Sequence, residues 1–183
     1  KALESILEIS KLIPADNRVK ILEEVVKLVD TITDDHLKAL AFGIIADVYA
    51  SLHKNKAKEL LEKAVNTLIN IRSNYWKTYI MATIAKGYYT LDPVKSRKIL
   101  EKALKSTKKI KSNYKKVKAL KSIAEAYVKL NQTKAREILE EALEIIDKIK
   151  NNYKKMRSLG FIADVYAIFD PTRTKEILIR ELE

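Results

Sequence analysis

Few of the residues that usually carry enzymatic chemistry occur in this 183-residue chain. It has no cysteine, and its two histidines, His36 and His53, lie seventeen positions apart. That spacing provides no pair of adjacent metal ligands, and without cysteine there is no thiolate to act as a ligand or nucleophile. The sequence also lacks a glycine-rich phosphate-binding loop. We therefore expect neither a metal nor a cofactor.

Carboxylates at one recurring position are the remaining candidates for acid–base chemistry. Asp47, Glu125 and Asp164 occupy the same place in three segments of similar sequence, and Lys86 occupies it in a fourth. Paired carboxylates are able to act as general acid and base. Repeated sequences, however, place like residues in rows for structural reasons, and no nucleophile or oxyanion donor accompanies these. We predict that the protein is not an enzyme.

The charge of the chain is concentrated in one basic zone. The formal net charge is +12, from 36 basic and 24 acidic residues. Twelve basic residues and a single acid, Glu101, lie between Lys95 and Lys121, so the charges of the other residues nearly cancel. Clustered lysines bind phosphates by releasing counterions, which makes nucleic acid or another polyanion one candidate partner. Alternatively, these lysines pair with acidic residues of a neighbouring helix and form a solvated outer face.

Composition favours a helical protein. Apolar residues make up 47% and charged residues 33%, with only three prolines and three glycines, too few for a fold with many turns. The absence of cysteine fits a reducing compartment, and we predict a cytoplasmic location. No run of eighteen apolar residues occurs, so we expect no membrane-spanning segment. The chain begins at Lys1 inside an apolar-periodic segment, which suggests a fragment of a longer protein.

The chain is built from a repeat of 39 residues. Its junctions read NIRSNYWK, KIKSNYKK and KIKNNYKK, beginning at Asn70, Lys109 and Lys148. The repeats align without a gap as 1–35 (partial), 36–74, 75–113, 114–152 and 153–183 (shortened). Periods of this length are typical of stacked helical hairpins. We predict one helical-repeat domain that covers residues 1–183.

Each repeat contains two apolar stripes with helical spacing. The first stripe, helix A, is illustrated by Leu120, Ile123, Ala124, Tyr127 and Leu130. The second stripe, helix B, is illustrated by Ile138, Leu139, Ala142, Leu143 and Ile146. A single helix pair would leave an apolar face exposed, and stacking on the next pair buries it. The predicted fold is all-α, a right-handed α-solenoid of stacked antiparallel helix pairs.

Polar residues at the repeat junctions are predicted to cap the helices. The predicted N-caps of the A helices are Asp35, Asn74, Asn113 and Asn152. The dipeptides Asp92–Pro93 and Asp170–Pro171 are predicted to start two B helices, since proline is favoured in the first helical turn. Helix A therefore passes to helix B through a very short turn.

Three glycines fall inside predicted A helices, where each costs about 1 kcal/mol relative to alanine. They are Gly43, Gly87 and Gly160. One interpretation is that they allow close contact between helices. The alternative is that Gly43 and Gly160 leave room for a ligand.

The pattern of small and bulky residues resembles the tetratricopeptide repeat (TPR). That family places a small residue three before a tyrosine on its first helix. Its second helix carries an alanine, then a bulky residue and another alanine. One repeat of this sequence matches at Ala124, Tyr127, Ala135, Leu139 and Ala142. The others match at Ala46, Tyr49, Ala57, Leu61 and Ala64, at Ala85, Tyr88, Leu100 and Ala103, and at Ala163, Tyr166 and Leu178.

The sequence departs from the family pattern in several places. Its period of 39 residues exceeds the usual length of about 34. The turn between the helices is one residue shorter, the closing proline is missing, and Ser96 and Thr174 replace alanine. The resemblance implies a TPR-like fold in which the A helices line a concave groove that binds a peptide. It therefore implies a non-enzymatic protein–protein interaction scaffold.

In that arrangement, the groove face of an A helix lies away from its buried stripe. The predicted partner-binding residues are Trp76, Tyr79, Lys86, Tyr89, Lys118, Lys121 and Arg157. Exposed aromatic residues beside cations are typical of binding hot spots, and they favour a partner with acidic and apolar residues. The alternative is that Trp76 and Tyr89 pack beneath a neighbouring helix.

Two further interpretations concern the helix starts and the ends of the stack. Lysine pairs open two A helices, in a turn where acidic residues are favoured and free amides suit an anion. The possible anion contacts are Lys115, Lys116, Lys154 and Lys155. The incomplete repeats at both ends would also let the protein form a homo-oligomer.

Overall fold

The computed structural model describes residues 14–179, which form nine α-helices and no strand. The helices are α1 (Ala15–Asp30), α2 (Asp35–Tyr49), α3 (Lys54–Thr67), α4 (Asn74–Tyr88), α5 (Pro93–Thr107), α6 (Asn113–Val128), α7 (Gln132–Ile146), α8 (Asn152–Tyr166) and α9 (Pro171–Ile179). A 3-10 turn, Leu68–Asn70, follows α3. The start of the partial first repeat, 1–13, and the end of the shortened last one, 180–183, lie outside the described residues.

The even-numbered helices are the predicted A helices, and the odd-numbered ones are the predicted B helices. The apolar stripes are buried as predicted, and the illustrated A helix keeps Leu120, Ile123 and Ala124 wholly inside. On α7, Leu139 and Ala142 are also wholly buried. Because apolar residues follow the helical period throughout, burial turns each stripe inward. The all-α fold of paired, TPR-like helices is therefore confirmed.

The chain divides into two compact units, Lys1–Ile99 and Leu100–Glu183, with the boundary inside α5. In the first unit, α2 packs against α1, α3 and α4, around a core that includes Phe42, Ile45, Leu60, Leu61 and Ile84. In the second unit, α6 packs against α7 and α8, and α8 packs against α9. In each unit, helix A contacts both its own helix B and the next helix A.

The turns from helix A to helix B share one hydrogen-bonding pattern. The tyrosine near the end of helix A accepts a bond from the amide of the residue that caps helix B, at 2.6–2.8 Å. The capping residues are His53, Asp92, Asn131 and Asp170. The predicted caps Asp92 and Asp170 are confirmed, with carboxylate oxygens 2.9 and 3.0 Å from the amides they accept. His53 and Asn131 serve the same purpose without a following proline.

The N-caps of the A helices lie one residue earlier than predicted. They are Asp34, Ser73, Ser112 and Asn151. The predicted residues Asp35, Asn74, Asn113 and Asn152 are instead the first residues of the helices. Both positions are polar in every repeat, and either side chain type is a good cap, so sequence alone does not separate them. Asn113 has another role, since its side-chain amide donates to the carbonyl of Lys148 at 3.3 Å.

Two departures from the TPR pattern have local explanations. Ser96 is fully buried, and its hydroxyl donates to the carbonyl of Ala85 at 2.7 Å. Thr174 donates in the same way to the carbonyl of Asp170 at 3.1 Å. A hydroxyl therefore replaces alanine where a backbone carbonyl satisfies it.

The three glycines have different surroundings. A Cβ on Gly87 would lie 2.7 Å from a methyl of Leu61, and one on Gly43 would lie 3.2 Å from a methyl of Thr83. Both glycines therefore allow close contact between helices, and the ligand space suggested at Gly43 is already filled. A Cβ on Gly160 would meet no atom within 4 Å, so this glycine borders open space.

Candidate interaction surfaces

The predicted groove residues fall in both compact units. Trp76, Tyr79, Lys86 and Tyr89 lie on α4 or directly after it, in the first unit, and all four are half-buried. In the second unit, Lys118 and Lys121 lie on α6 and Arg157 lies on α8. Each group is therefore a separate candidate surface.

The first surface is an aromatic cluster at the starts of α2 and α4. It consists of His36, Tyr75, Trp76 and Tyr79. The Trp76 ring centroid lies 5.1 Å from that of Tyr75, 5.9 Å from that of His36 and 6.0 Å from that of Tyr79. Trp76 also packs against the core of the first unit while staying half-exposed. The ring is thus part core and part surface, and both interpretations of it are partly right.

Tyr89 and Lys86 lie away from this cluster. Tyr89 follows the last residue of α4, thirteen positions after Trp76, which corresponds to about 20 Å along a helix. Lys86 lies in the last turn of α4. The structure therefore brings together the two predicted aromatic residues at the start of α4, and Tyr89 marks the opposite end of the helix.

The second surface, which we call the Tyr114 patch, joins α6 and α8. It consists of Tyr114, Lys118, Lys154, Arg157 and Phe161. The ammonium groups of Lys118 and Lys154 lie 5.9 and 5.8 Å from the centre of the Tyr114 ring. The guanidinium of Arg157 lies 5.6 Å from the Phe161 ring, and the two rings are 6.3 Å apart. Three predicted site residues thus converge on two rings.

Tyr114 and Phe161 were not predicted as site residues. The repeat register contains a signal for the first of them, because the same position holds His36, Tyr75 and Tyr153 in the other repeats. An aromatic ring therefore recurs in the first turn of every A helix. Phe161 has no such signal, and only the packing of α8 against α6 brings it near Tyr114.

Like charges gather at the Tyr114 patch because aromatic faces attract cations, by about 0.5–1 kcal/mol at exposed sites. Lys154 and Arg157 are exposed, while Lys118 and both rings are half-buried. Lys121 does not join them, because its ammonium forms an ion pair with Glu125 on the same helix. The patch therefore presents three positive charges beside apolar ring surface.

The amides at the helix starts are already bonded. The backbone N–H groups of Lys115 and Lys116 donate to Ser112, and those of Lys154 and Lys155 donate to Asn151. The premise of free amides is therefore wrong for these four lysines. Among their side chains, Lys154 belongs to the Tyr114 patch and Lys155 lies 3.9 Å from Asp147.

Helix α5 lacks an ion pair that the other B helices share. In α3, α7 and α9 a basic residue in the first turn pairs with an acid three positions later, at 2.6–2.8 Å. In α5 the equivalent positions hold Lys95 and Lys98, and the ammonium of Lys95 instead lies 4.3 Å from the Tyr88 ring centre. A lysine thus replaces the expected acid at the start of the basic zone.

The lysines farther along α5 have no acidic partners. Lys102, Lys105 and Lys109 are exposed and form no ion pair with any residue in the described range 14–179. The predicted pairing with acids of α7 is absent for them, because Glu137 pairs with Lys134 and Glu140 pairs with Arg173. This helix therefore presents an uncompensated positive face.

A polar network links the last two repeats. The Tyr166 hydroxyl donates to Glu140 at 2.6 Å, and Arg173 donates to the same carboxylate at 3.0 and 3.2 Å. Burial and then the hydrogen bond to Glu140 raise the pKa of Tyr166. Burial opposes ionisation of Glu140, but the bonds from Tyr166 and Arg173 outweigh it and lower the pKa of Glu140. The network therefore keeps Glu140 charged and joins α7 to α8 and α9.

Metal and membrane sites were also sought. Within residues 14–179, no group of three histidine, aspartate or glutamate side chains is placed to hold a metal ion. None of the helices described here combines the length and apolar character needed to cross a membrane.

Solved structures with similar architecture come from an archaeon and a fungus. Ton1535 from Thermococcus onnurineus NA1 superposes with a TM-score of 0.58 at 18% identity, over 98% of this chain and 48% of that one. The chain thus spans about half the length of Ton1535. A Podosopora anserina protein assigned to the kinesin light chains, with nearly identical TPR-like repeats, gives 0.54 at 21% identity, over 98% and 93%. A variant of it gives 0.55 at 21%, over 98% and 92%.

These similarities define the class of fold. The chain has the fold of TPR-like helical repeat proteins, as its sequence resemblance implied. The sequence has no significant match among protein-family models or among curated proteins.

Proposed function

We propose that the protein is a non-enzymatic interaction scaffold whose A helices bind a partner segment with acidic and apolar residues. The Tyr114 patch is the observation that carries this proposal. A carboxylate of the partner would approach Lys118, Lys154 and Arg157, while an apolar side chain would pack on the rings of Tyr114 and Phe161. The TPR-like fold supports the same use of these helices.

The arrangement of the patch favours a peptide over a long polyanion. Its cations surround aromatic rings and do not form a continuous row, so the surface alternates charge with apolar area. A peptide that alternates glutamate with leucine offers both chemistries at a similar spacing. The aromatic cluster of the first unit offers a second contact, mostly apolar, for a longer partner.

Fluorescence anisotropy with labelled peptides of alternating glutamate and leucine tests the proposal. We expect the double substitution Lys118→Gln and Lys154→Gln to weaken binding about tenfold or more, since hydrogen bonds to charged groups contribute about 1.5–3 kcal/mol each. The matched control is Lys102→Gln with Lys105→Gln, which removes the same charge from α5. If both double variants weaken binding equally, attraction by overall charge explains it and the patch is not the site.

A second candidate function is polyanion binding by α5. The observation that favours it is the lack of acidic partners for Lys102, Lys105 and Lys109. Filter binding of a labelled oligonucleotide at several salt concentrations tests it, because each phosphate contact steepens the dependence of affinity on salt. The Lys102→Gln and Lys105→Gln variant should reduce the salt slope by about two. Absence of binding at low salt would exclude this candidate.

A further inference from the structure

The last repeat exposes an unusual amount of apolar side chain. Nine large hydrophobic residues are exposed within the described part of the chain, and five of them belong to this repeat. They are Tyr153, Met156, Ile168, Leu178 and Ile179. Exposed apolar groups that cluster on one element mark interaction surfaces more often than scattered ones do.

Comparison at equivalent repeat positions shows which face this is. Met156 is 56% exposed, whereas Val117, its equivalent on α6, is wholly buried. Leu178 is 43% exposed, whereas Leu139, its equivalent on α7, is wholly buried. Gly160 borders open space, whereas its equivalent on α2, Gly43, packs against α4. Helix α8 therefore leaves uncovered the face that α2 uses to pack against another A helix.

The exposed residues of α8 form one stripe. At about 100° per residue, the members of this α8 stripe lie within about 120° of one another around the helix. They are Tyr153, Met156, Arg157, Gly160 and Asp164. Ile168 follows in the turn directly after the helix. The stripe thus carries apolar groups, one cation, one anion and a glycine near its centre.

The order of residues along the stripe is self-complementary. Two copies of α8 placed antiparallel, with Gly160 at the crossing, would set Arg157 of each against Asp164 of the partner subunit. The same alignment sets each Tyr153 against Ile168 of the partner subunit. The missing side chain at Gly160 lets the two backbones approach closely. A parallel alignment would instead oppose like charges.

We propose that the chain forms a two-fold symmetric homodimer through antiparallel α8 helices. A two-fold interface uses the same patch twice, so it requires each group and its complement on one surface. The α8 stripe meets this requirement with Arg157 and Asp164, both exposed and neither in an ion pair with any residue of the described range. The inference does not rest on the proposed function, because Lys118 and Lys154 lie outside the stripe.

Sedimentation equilibrium of the 183-residue chain at several concentrations tests the dimer. Arg157→Glu and Asp164→Arg should each raise the dissociation constant about tenfold or more, because each creates two like-charge contacts. An equimolar mixture of the two variants should recover dimerisation, since every contact then joins opposite charges. Gly160→Glu, which places a carboxylate at the crossing, should abolish it. Circular dichroism checks that each variant remains helical.

The matched control is Asp47→Arg, which makes the same change at the equivalent position of α2 and should leave the dissociation constant unchanged. A chain that is monomeric at every concentration overturns the proposal. A dimer that tolerates Arg157→Glu, or one that the mixture of variants fails to restore, also overturns it and places the contact on another face.

Discussion

At the scale of single residues, equivalent tyrosines differ in whether their hydroxyls are paired. Each A helix carries a buried tyrosine near its end, and the hydroxyl of Tyr166 is bonded to Glu140. The hydroxyls of Tyr49 and Tyr88 are buried without a partner among the described residues. An unpaired buried hydroxyl costs about 1–3 kcal/mol relative to a paired one. The same residue type therefore contributes differently to stability in different repeats.

This difference predicts opposite results for one substitution. Tyr166→Phe removes a hydrogen bond to a charged group and should lower the free energy of unfolding by about 1.5–3 kcal/mol. Tyr88→Phe removes an unpaired hydroxyl and should be neutral or stabilising. Urea denaturation of both variants measures the difference. An equal loss in the two variants would show that the bond to Glu140 contributes nothing.

A glutamate recurs in the register of Glu140. It is present as Glu23, Glu62, Glu101 and Glu140. Its recurrence every 39 residues was visible in the sequence, but its role was not, because the partner tyrosine lies on the helix A of the following repeat. Residue types are thus predictable from a repeat, whereas pairing between repeats depends on how the helices pack.

At the scale of helices, the sequence predicted elements more accurately than their ends. The apolar stripes place every described helix because burial has to follow the helical period. The caps of the A helices were placed one residue late, since Ser112 and Asn113 are both suited to the position. The Tyr114 patch was predicted only in part, because the approach of Phe161 depends on the lateral packing of α8 against α6.

The glycines allow a prediction about individual helices. Gly160→Ala should raise the free energy of unfolding by up to about 1 kcal/mol, because it removes the helical cost of glycine and meets no neighbour. Gly87→Ala makes the same gain in α4 but drives a methyl into Leu61, a wholly buried residue, and should be net destabilising. Urea denaturation below the dimer dissociation constant compares them. A similar stabilisation by both would show that α3 shifts freely.

At the scale of the whole molecule, the uneven distribution of charge is the dominant electrostatic feature. Nearly all of the net charge of +12 comes from the segment between Lys95 and Lys121. The lysines of α5 in this segment lack the acid that the other B helices provide. Like charges on one helix repel one another and destabilise the compact state. The basic zone should therefore lower stability while it attracts anionic partners.

Salt dependence follows from this repulsion. Raising sodium chloride from about 0.05 to about 0.5 M shortens the Debye length from roughly 14 to 4 Å and should raise the midpoint of thermal unfolding. Lys102→Gln with Lys105→Gln should reduce that increase, because it removes part of the repulsion in advance. Lys56→Gln with Lys134→Gln is the matched control, since these lysines have acidic partners, Glu59 and Glu137, and their loss removes attraction. A midpoint that falls with salt would show that attractive ion pairs elsewhere outweigh the repulsion of α5.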